Sequence, residues 1–490
     1  MPLILPGNVA AATASTAYSV ANSCRFDGTV GSLLERTSPS DSATNEKIAT
    51  MSFWMKLGAG SITPSASKYI FYNNNASTSP GYFQVQITTD GQMIFVASQY
   101  GGFELKPTRK FRDPSAWYHF CLQHDSTPST PSASSMRLWI NGVLQTDFVT
   151  ERYPAQNNTC NFTQASIYTP IGTYADSYAS FDGYLAEFMV VDGQSLAADQ
   201  FGEFDSDSPG IWKPIDISGI TLGAQGYYLD FEDSSAMGND AGGGADFTAS
   251  NIAATDQCTD TPTNNFATLN PLWRSSFDND GTYSEGNLGR SFTSANSDRG
   301  YGFSTMGVTA GKWYWEIKIP TVARTKCGVG DATKIASFTG AFYSESTSYG
   351  MEVGTDGSIS ENGTTTDPFA ASLSDDDIVM FALDMDNHRC WYGINGTWQD
   401  SGDPTSGATG TGDITTKISD QTHINTGEFI FPFVYKVSTS GQGDFQCNFG
   451  NPPFTLSSAV ADGNGYGAFE YAPPSGFLAL CTKNLGSDGG

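Results

Sequence analysis

The residues able to do chemistry are few and scattered. Cleaving a glycosidic bond takes two carboxyl groups set ~5 to 9.5 Å apart across the scissile bond. The nearest approach to such a pair is Asp230-Phe231-Glu232-Asp233, where strand alternation puts Asp230 and Glu232 on one face. No third carboxylate completes an E-x-D-x-x-E run, so the expected role is a solvent-facing strand edge. The histidines are His119, His124, His388 and His423, and none lies in a nucleophile motif. His119 sits in a strand beside Trp117 and His388 in a turn region, so structural roles are expected. H-E-x-x-H, Gly-rich phosphate loops and metal-spaced clusters do not occur. Calcium is the one ion to consider, held by carboxylate and carbonyl oxygens of acidic loops. Asp375-Asp376-Asp377 and Glu203-Phe204-Asp205 are the candidate stretches, but neither has EF-hand spacing. No catalytic residue, metal ligand or cofactor is therefore assigned, and no binding residue is named.

Eight cysteines, Cys24, Cys121, Cys160, Cys258, Cys327, Cys390, Cys447 and Cys481, include no C-x-x-C pair. Several fall inside apolar strand patterns, where a thiol packs as a small hydrophobe, and reduced cysteines are expected. The 490 residues are enough for two or three domains. A formal charge of -27 and a pI near 4.2 argue against nucleic-acid binding, which needs clustered Lys and Arg. Met1-Pro2-Leu3-Ile4-Leu5-Pro6 has no basic residue before Arg25, so a signal peptide is not expected. No later run reaches the ~20 apolar residues of a membrane-spanning helix.

The elements that must position any site are short strands. Met51, Phe53, Met55 and Leu57 alternate to one face, and Tyr82 to Ile87 and Met93 to Val96 flank an Asp90-Gly91 turn. Further strands follow at Trp117 to Leu122, Met136 to Ile140 and Gly183 to Val191. Asn141-Gly142 supplies a type I′ turn. Ser195 is placed to cap one short helix carrying Leu196 and Phe201. Beyond residue 286 the pattern recurs in Lys312 to Ile319, Cys327 to Gly330, Tyr349 to Val353, Asp377 to Asp384, Cys390 to Tyr392 and Phe431 to Tyr435. Turns fall at Asp356-Gly357, Asp386-Asn387 and Asn395-Gly396. Many short strands with little helix predict an all-β chain of two antiparallel jelly-roll-type sandwiches joined by an extended connector.

Ser52-Phe53-Trp54-Met55, Trp117-Tyr118-His119-Phe120, Leu138-Trp139-Ile140-Asn141-Gly142 and Gly183-Tyr184-Leu185-Ala186-Glu187-Phe188 together resemble the concanavalin A-like, laminin-G-type sandwich. That fold can host laminarinase-like hydrolases, which is why the missing third carboxylate counts. The Gly311-Lys312-Trp313-Tyr314-Trp315-Glu316 run, the later strands and Cys447-Asn448-Phe449-Gly450-Asn451-Pro452-Pro453-Phe454 resemble the SPRY domain. The SPRY resemblance implies a binding module with no catalytic residues to carry over.

The expected organisation is a lead or attachment segment over 1–21, the first sandwich over 22–232 and a polar connector over 233–285. A second sandwich over 286–456 and an extended tail over 457–490 complete it. The lead reads equally as flexible or as ordering on a partner. The connector is too poor in large apolar residues to form a core of its own. Phe247, Ile252, Phe266, Leu269 and Leu272 are expected to anchor it along the sandwiches. In the tail, Phe477 and Leu480 are expected to pin the chain, and Gly486 to Gly490 to be disordered.

The whole-chain order of lead, first sandwich, connector with Asp256-Gln257-Cys258-Thr259-Asp260-Thr261-Pro262, second sandwich and Pro473-Pro474-Ser475-Gly476-Phe477 tail resembles structural proteins of tailed, marine bacteriophages. That resemblance implies a non-enzymatic virion component, a tail fibre or a capsid-surface fibre or decoration, assembled in the host cytoplasm. Its partners would be other virion proteins and a host-surface glycan or protein, with no nucleic acid and no membrane insertion. Phage fibres are commonly trimers, which implies three copies. The alternative is a purely structural capsid or tail component gripping neighbouring subunits. A glycan-cleaving depolymerase is the third reading, set against by the missing carboxylate run.

Overall fold

Alternation builds the first core. In the strand Ile48–Leu57, Met51, Phe53, Met55 and Leu57 all point one way and are fully buried, as a period of two requires. Across Tyr82–Ile87 the same holds for Phe83, Val85 and Ile87. These side chains meet in one cluster, with Phe53 stacked at 5.3 Å on Phe120 and at 5.2 Å on Phe188. The computed structural model describes residues 18–62, 64–74, 81–97, 102–174, 179–206, 208–273, 281–292, 300–322, 325–331, 350–354, 356–361, 364–366, 370–414, 429–436 and 442–488. The expected lead, up to residue 17, His423 and Tyr349 lie outside them.

The described residues form two compact units, one ending at Thr263 and the other beginning at Asn264. In the first unit, one sheet has the order 143–144, 136–140, 117–125, 48–57, 182–192, 23–27, 257–258, with 227–229 also paired to 182–192. The other has the order 148–152, 104–107, 93–97, 82–87, 68–74, 168–171, 33–37, 248–250. The strands of both sheets pair antiparallel. Asn141 and Gly142 both take positive φ, 48° and 73°, at the hairpin that sequence chemistry predicts. The expected helix at Ser195 shrinks to a single 3-10 turn, Ala198–Gln200, capped by Ala197. Phe201 ends that turn buried, and Gly202 already starts the next strand, which leaves no room for a second helical turn.

The outward face of the first sheet is covered by chain from outside the sandwich repeat. Lys56 alternates outward from the core and is wholly buried, its Nζ 2.6 Å from Asp260 Oδ2. Trp117 Nε1 donates to Asp260 Oδ1 at 3.0 Å, and Arg25 pairs with Asp256 at 3.1 Å. Val20 is buried in the same layer with Trp54 and Tyr184. The stretch 233–285 is thus divided at Thr263 between the two units. Phe247 joins the first core, Ile252 packs against it, and Phe266 and Leu269 are buried in the second unit. Leu272, expected as an anchor, is exposed.

In the second unit, one sheet has the order 282–284, 289–292, 443–448, 312–321, 377–384, 389–394, 397–398, and the other 300–303, 431–436, 325–330, 350–354, 359–361, 364–366. Pairing is antiparallel except for Leu478–Ala479, which lies parallel to Lys312–Thr321. Trp313, Trp315, Ile317 and Ile319 face the core, and Trp315 stacks on Phe381 at 5.2 Å. The opposite face of Lys312–Thr321 presents Tyr314 and Glu316, and there the tail seals it with Phe469, Phe477 and Cys481. Phe477 and Leu480 are both fully buried. Gly486 to Asp488, expected to be disordered, instead belong to a short helix, Thr482–Asp488, whose Leu485 is in the core, while Gly489 and Gly490 lie outside the described residues.

Candidate binding face of the first sandwich

The carboxylates singled out by sequence lie in a turn beyond the end of a strand. The strand Tyr227–Leu229 ends before Asp230, and Phe231 takes a left-handed φ of 60°, so Asp230 and Glu232 do not share a strand face. Asp230 Oδ1 instead accepts from the Glu232 backbone N–H at 3.1 Å, closing a local turn. The acidic stretches considered for calcium are engaged by protein groups. Asp375 accepts from Val322 N, Asp376 pairs with Lys318 at 3.0 Å, and Asp377 accepts from Ser374 N and Asn395 Nδ2. Glu203 and Asp205 share Lys213 at 3.3 and 3.2 Å. Among the described residues, no group of three His, Cys, Asp or Glu is placed to hold a metal.

His119 comes closest to a catalytic contact, with Nε2 2.9 Å from Ser52 Oγ. Its Nδ1, however, lies 3.1 Å from Trp212 Nε1. An indole N–H can only donate, so Nδ1 must accept and the ring proton must sit on Nε2. That tautomer donates to Ser52 and cannot take the serine's proton. Burial also pushes the imidazole down to about 3, and His124, likewise buried, to about 4. His388 occupies a positive-φ turn position. All eight cysteines are buried thiols outside any disulfide.

Glu187 is a group that strand logic missed. It lies in Asp182–Asp192 at a bulge, where register shifts between Ala186 and Met189, and holds a φ of 49°. The hydroxyls of Tyr18 and Tyr228 donate to Oε2 at 3.0 and 2.9 Å. Burial raises the carboxyl to about 7 against the opposing pull of those two hydrogen bonds. A strained backbone and a shifted carboxyl are both marks of functional sites. Here the donors come from the chain itself, and the group fastens residue 18 to the sheet.

The face that remains open belongs to the second sheet of this unit. Tyr82, Gln84 and Gln86 alternate away from the core side chains Phe83, Val85 and Ile87. In the neighbouring strand Lys68–Asn74, a bulge between Tyr69 and Phe71 lets both Tyr69 and Tyr72 face outward while Ile70 and Phe71 face the core. Tyr174, just beyond the strand Tyr168–Ile171, lies between them. Ring centroids run Tyr69 to Tyr174 at 4.8 Å, Tyr174 to Tyr72 at 4.5 Å and Tyr72 to Tyr82 at 6.5 Å. Tyr69, Tyr82 and Tyr174 are half-buried, whereas Tyr72 at 2% exposure forms the floor. Burial pushes the Tyr69 and Tyr72 hydroxyls upward, and the Tyr174 side chain hydrogen-bonds Tyr72 and adds to that shift. They stay protonated as neutral donors. Gln84 stands opposite Tyr72 in register and Gln86 opposite Tyr69.

The alternation of Tyr82, Gln84 and Gln86 was legible in the sequence, but Tyr69 and Tyr72 are three apart. Without the bulge, a spacing of three would put them on opposite faces.

Residues 35–200 match the Concanavalin A-like lectin/glucanases superfamily, and residues 312–431 match the SPRY domain. No curated protein matches the chain. Among solved structures it is similar to the SPRY domain of human HERC1, at 17% identity over 36% of this chain and 96% of that one, TM-score 0.27. It is similar to domains LG4-5 of the mouse laminin alpha1 chain, at 13% identity over 90% and 91%, TM-score 0.30. A third is the native heptameric SAP-like pentraxin from Limulus polyphemus, at 16% identity over 38% and 82%, TM-score 0.26.

Proposed function

We propose, for a chain that carries a concanavalin A-like sandwich followed by a SPRY sandwich, a non-enzymatic role as a virion protein of a tailed bacteriophage. It serves as a tail fibre or as a capsid-surface fibre or decoration and binds a host-surface glycan. The observation that carries the binding role is the cluster of half-buried Tyr69, Tyr82 and Tyr174 around buried Tyr72 on a sheet face that stays partly open. A sugar ring offers a face of C–H groups and a rim of hydroxyls. It is matched by aromatic faces carrying hydroxyls, with amides alongside. The wrong-tautomer His119 and the Glu187 carboxylate, satisfied by Tyr18 and Tyr228, support a role without catalysis. The virion assignment rests on the whole-chain resemblance, and copies on one particle would turn weak single-site binding into useful avidity.

Immunogold labelling of intact particles and adsorption competition test this reading together. The expected result is label on the virion, and purified full-length protein that blocks attachment to host cells. Unlabelled particles would remove the virion role. Protein that binds empty particles without blocking attachment would leave a purely structural component instead.

A further inference from the structure

Resting on the glycan-binding reading, we infer that the tyrosine face selects an uncharged, short saccharide seated on Tyr69, Tyr174 and Tyr82 over buried Tyr72, with Gln84 and Gln86 reading its hydroxyls. Tyr69, Tyr174 and Tyr72 form a compact triangle with centroids 4.8, 4.5 and 6.5 Å apart, and Tyr82 lies 6.5 Å from Tyr72. A patch this compact takes one or two sugar rings.

Charge on the strands bearing or flanking the rings favours a neutral ligand. Across Leu33–Thr37, Lys68–Asn74, Tyr82–Ile87 and Tyr168–Ile171 the charged residues are Glu35, Arg36 and Lys68. Glu35 Oε2 already accepts the Tyr168 hydroxyl at 2.5 Å. Arg36 is buried away from the face, 3.7 Å from Asp240 and over the Tyr227 ring at 4.2 Å. Of the three, Lys68 alone, at the end of its strand, adds a cation beside Tyr69. Among the described residues of these strands, no pair of guanidinium or ammonium groups stands beside the rings to receive the carboxylates or sulfates of an acidic polysaccharide, and such recognition relies on fixed cationic donors. The whole chain's charge of -27 also repels a polyanion at long range.

The amides add hydroxyl recognition. Gln86 Nε2 donates to Gln84 Oε1 at 3.4 Å, a long bond that leaves the Gln84 NH₂ and the Gln86 carbonyl for a ligand on the same side as the rings. A neutral amide pair offers both a donor and an acceptor, which suits a hydroxyl able to do either.

The test is calorimetric titration of the full chain with linear neutral oligosaccharides of glucose, mannose and galactose, two to six units long, and with uronate oligosaccharides of the same lengths. The expected result is neutral binding that tightens up to two units and then levels. Tyr69→Ala and Tyr174→Ala should each weaken the two-unit ligand about tenfold, with melting temperature unchanged. Tyr72→Phe, which keeps the ring, should retain most of the affinity. Preference for uronates, affinity still climbing beyond two units, or indifference to both alanine variants would overturn the inference while leaving glycan binding in place. If neither series binds, the glycan-binding reading falls and this inference with it.

Discussion

Each sandwich carries a cluster of aromatic rings on one of its sheets, and the two clusters differ in what covers them. In the second unit Trp273, Tyr301, Phe303, Phe433 and Tyr435 pack together, with Trp273 4.4 Å from Phe303 and Tyr301 stacked 4.1 Å over Tyr435. All five are at most 2% exposed. In the first unit Tyr69, Tyr82 and Tyr174 remain half-open around buried Tyr72. Composition differs in the same sense, because the buried set contains Phe and Trp while the open set is all Tyr. Aromatic density alone therefore marks packing as readily as recognition. Partial exposure of Tyr69, Tyr82 and Tyr174, each with a polar handle, is what sets the proposed recognition face apart.

A similar contrast holds for the carboxylates on the covered faces. Glu316 takes four donors, from Tyr314, Asn448 and the backbone N–H groups of Glu470 and Tyr471, and so fixes the tail. Glu187 takes two tyrosine hydroxyls from a strained backbone position. Covered faces use charge to hold covering chain, whereas on the strands of the open face Lys68 alone places a cation beside the rings.

Stripping a covered face of its partner should therefore have the largest effect on stability. Asp260→Ala leaves Lys56 charged and fully buried, so chemical denaturation should show a loss of about 3–5 kcal/mol. A loss under ~1 kcal/mol would mean that the covering segment is dispensable. Trp273→Ala, in the buried ring cluster, should cost about 3–5 kcal/mol by the same measurement, as large aromatic truncations in cores do.

The Glu187 carboxyl gives a signed pH effect. Its folded value, about 7, lies above the ordinary 4.5, so the folded state holds the proton more tightly. That contribution is complete below pH 4.5 and is lost as pH rises to about 7, amounting to roughly 3 kcal/mol. Unfolding free energy followed from pH 4.5 to 8 should fall more steeply in the wild type than in Glu187→Gln, which cannot titrate. Parallel curves would contradict the assignment. The smallest effect on stability belongs to the open face, where Tyr174→Ala should change unfolding free energy by less than ~1 kcal/mol, the behaviour of a surface substitution.

Much of the fold was legible in the sequence because half-buried strands write a period of two into residues such as Met51, Phe53, Met55 and Leu57. Asn141-Gly142 and Asn395-Gly396 announced their hairpins because both positions of each pair need positive φ, which the structure shows. The tyrosine face was hidden for a physical reason. Its assembly depends on a bulge at Tyr69 to Phe71 and on Tyr174, about a hundred residues away, and neither leaves a local period. Glu187 was hidden likewise, since it looks like any residue of the strand Asp182–Asp192 until the register slips. The role of Asp260 was concealed by its setting in a segment with no apolar pattern, whose order comes from the sheet it covers.

If the open tyrosine face, and not the covered faces, meets the host, the rings should matter to attachment and not to folding. Adsorption competition with purified wild-type protein and with the double variant Tyr69→Ala/Tyr174→Ala tests this most directly. Wild-type protein should block attachment, and the double variant, folded with an unchanged melting temperature, should not. A folded double variant that blocks as well as the wild type would contradict a host-binding role for this face.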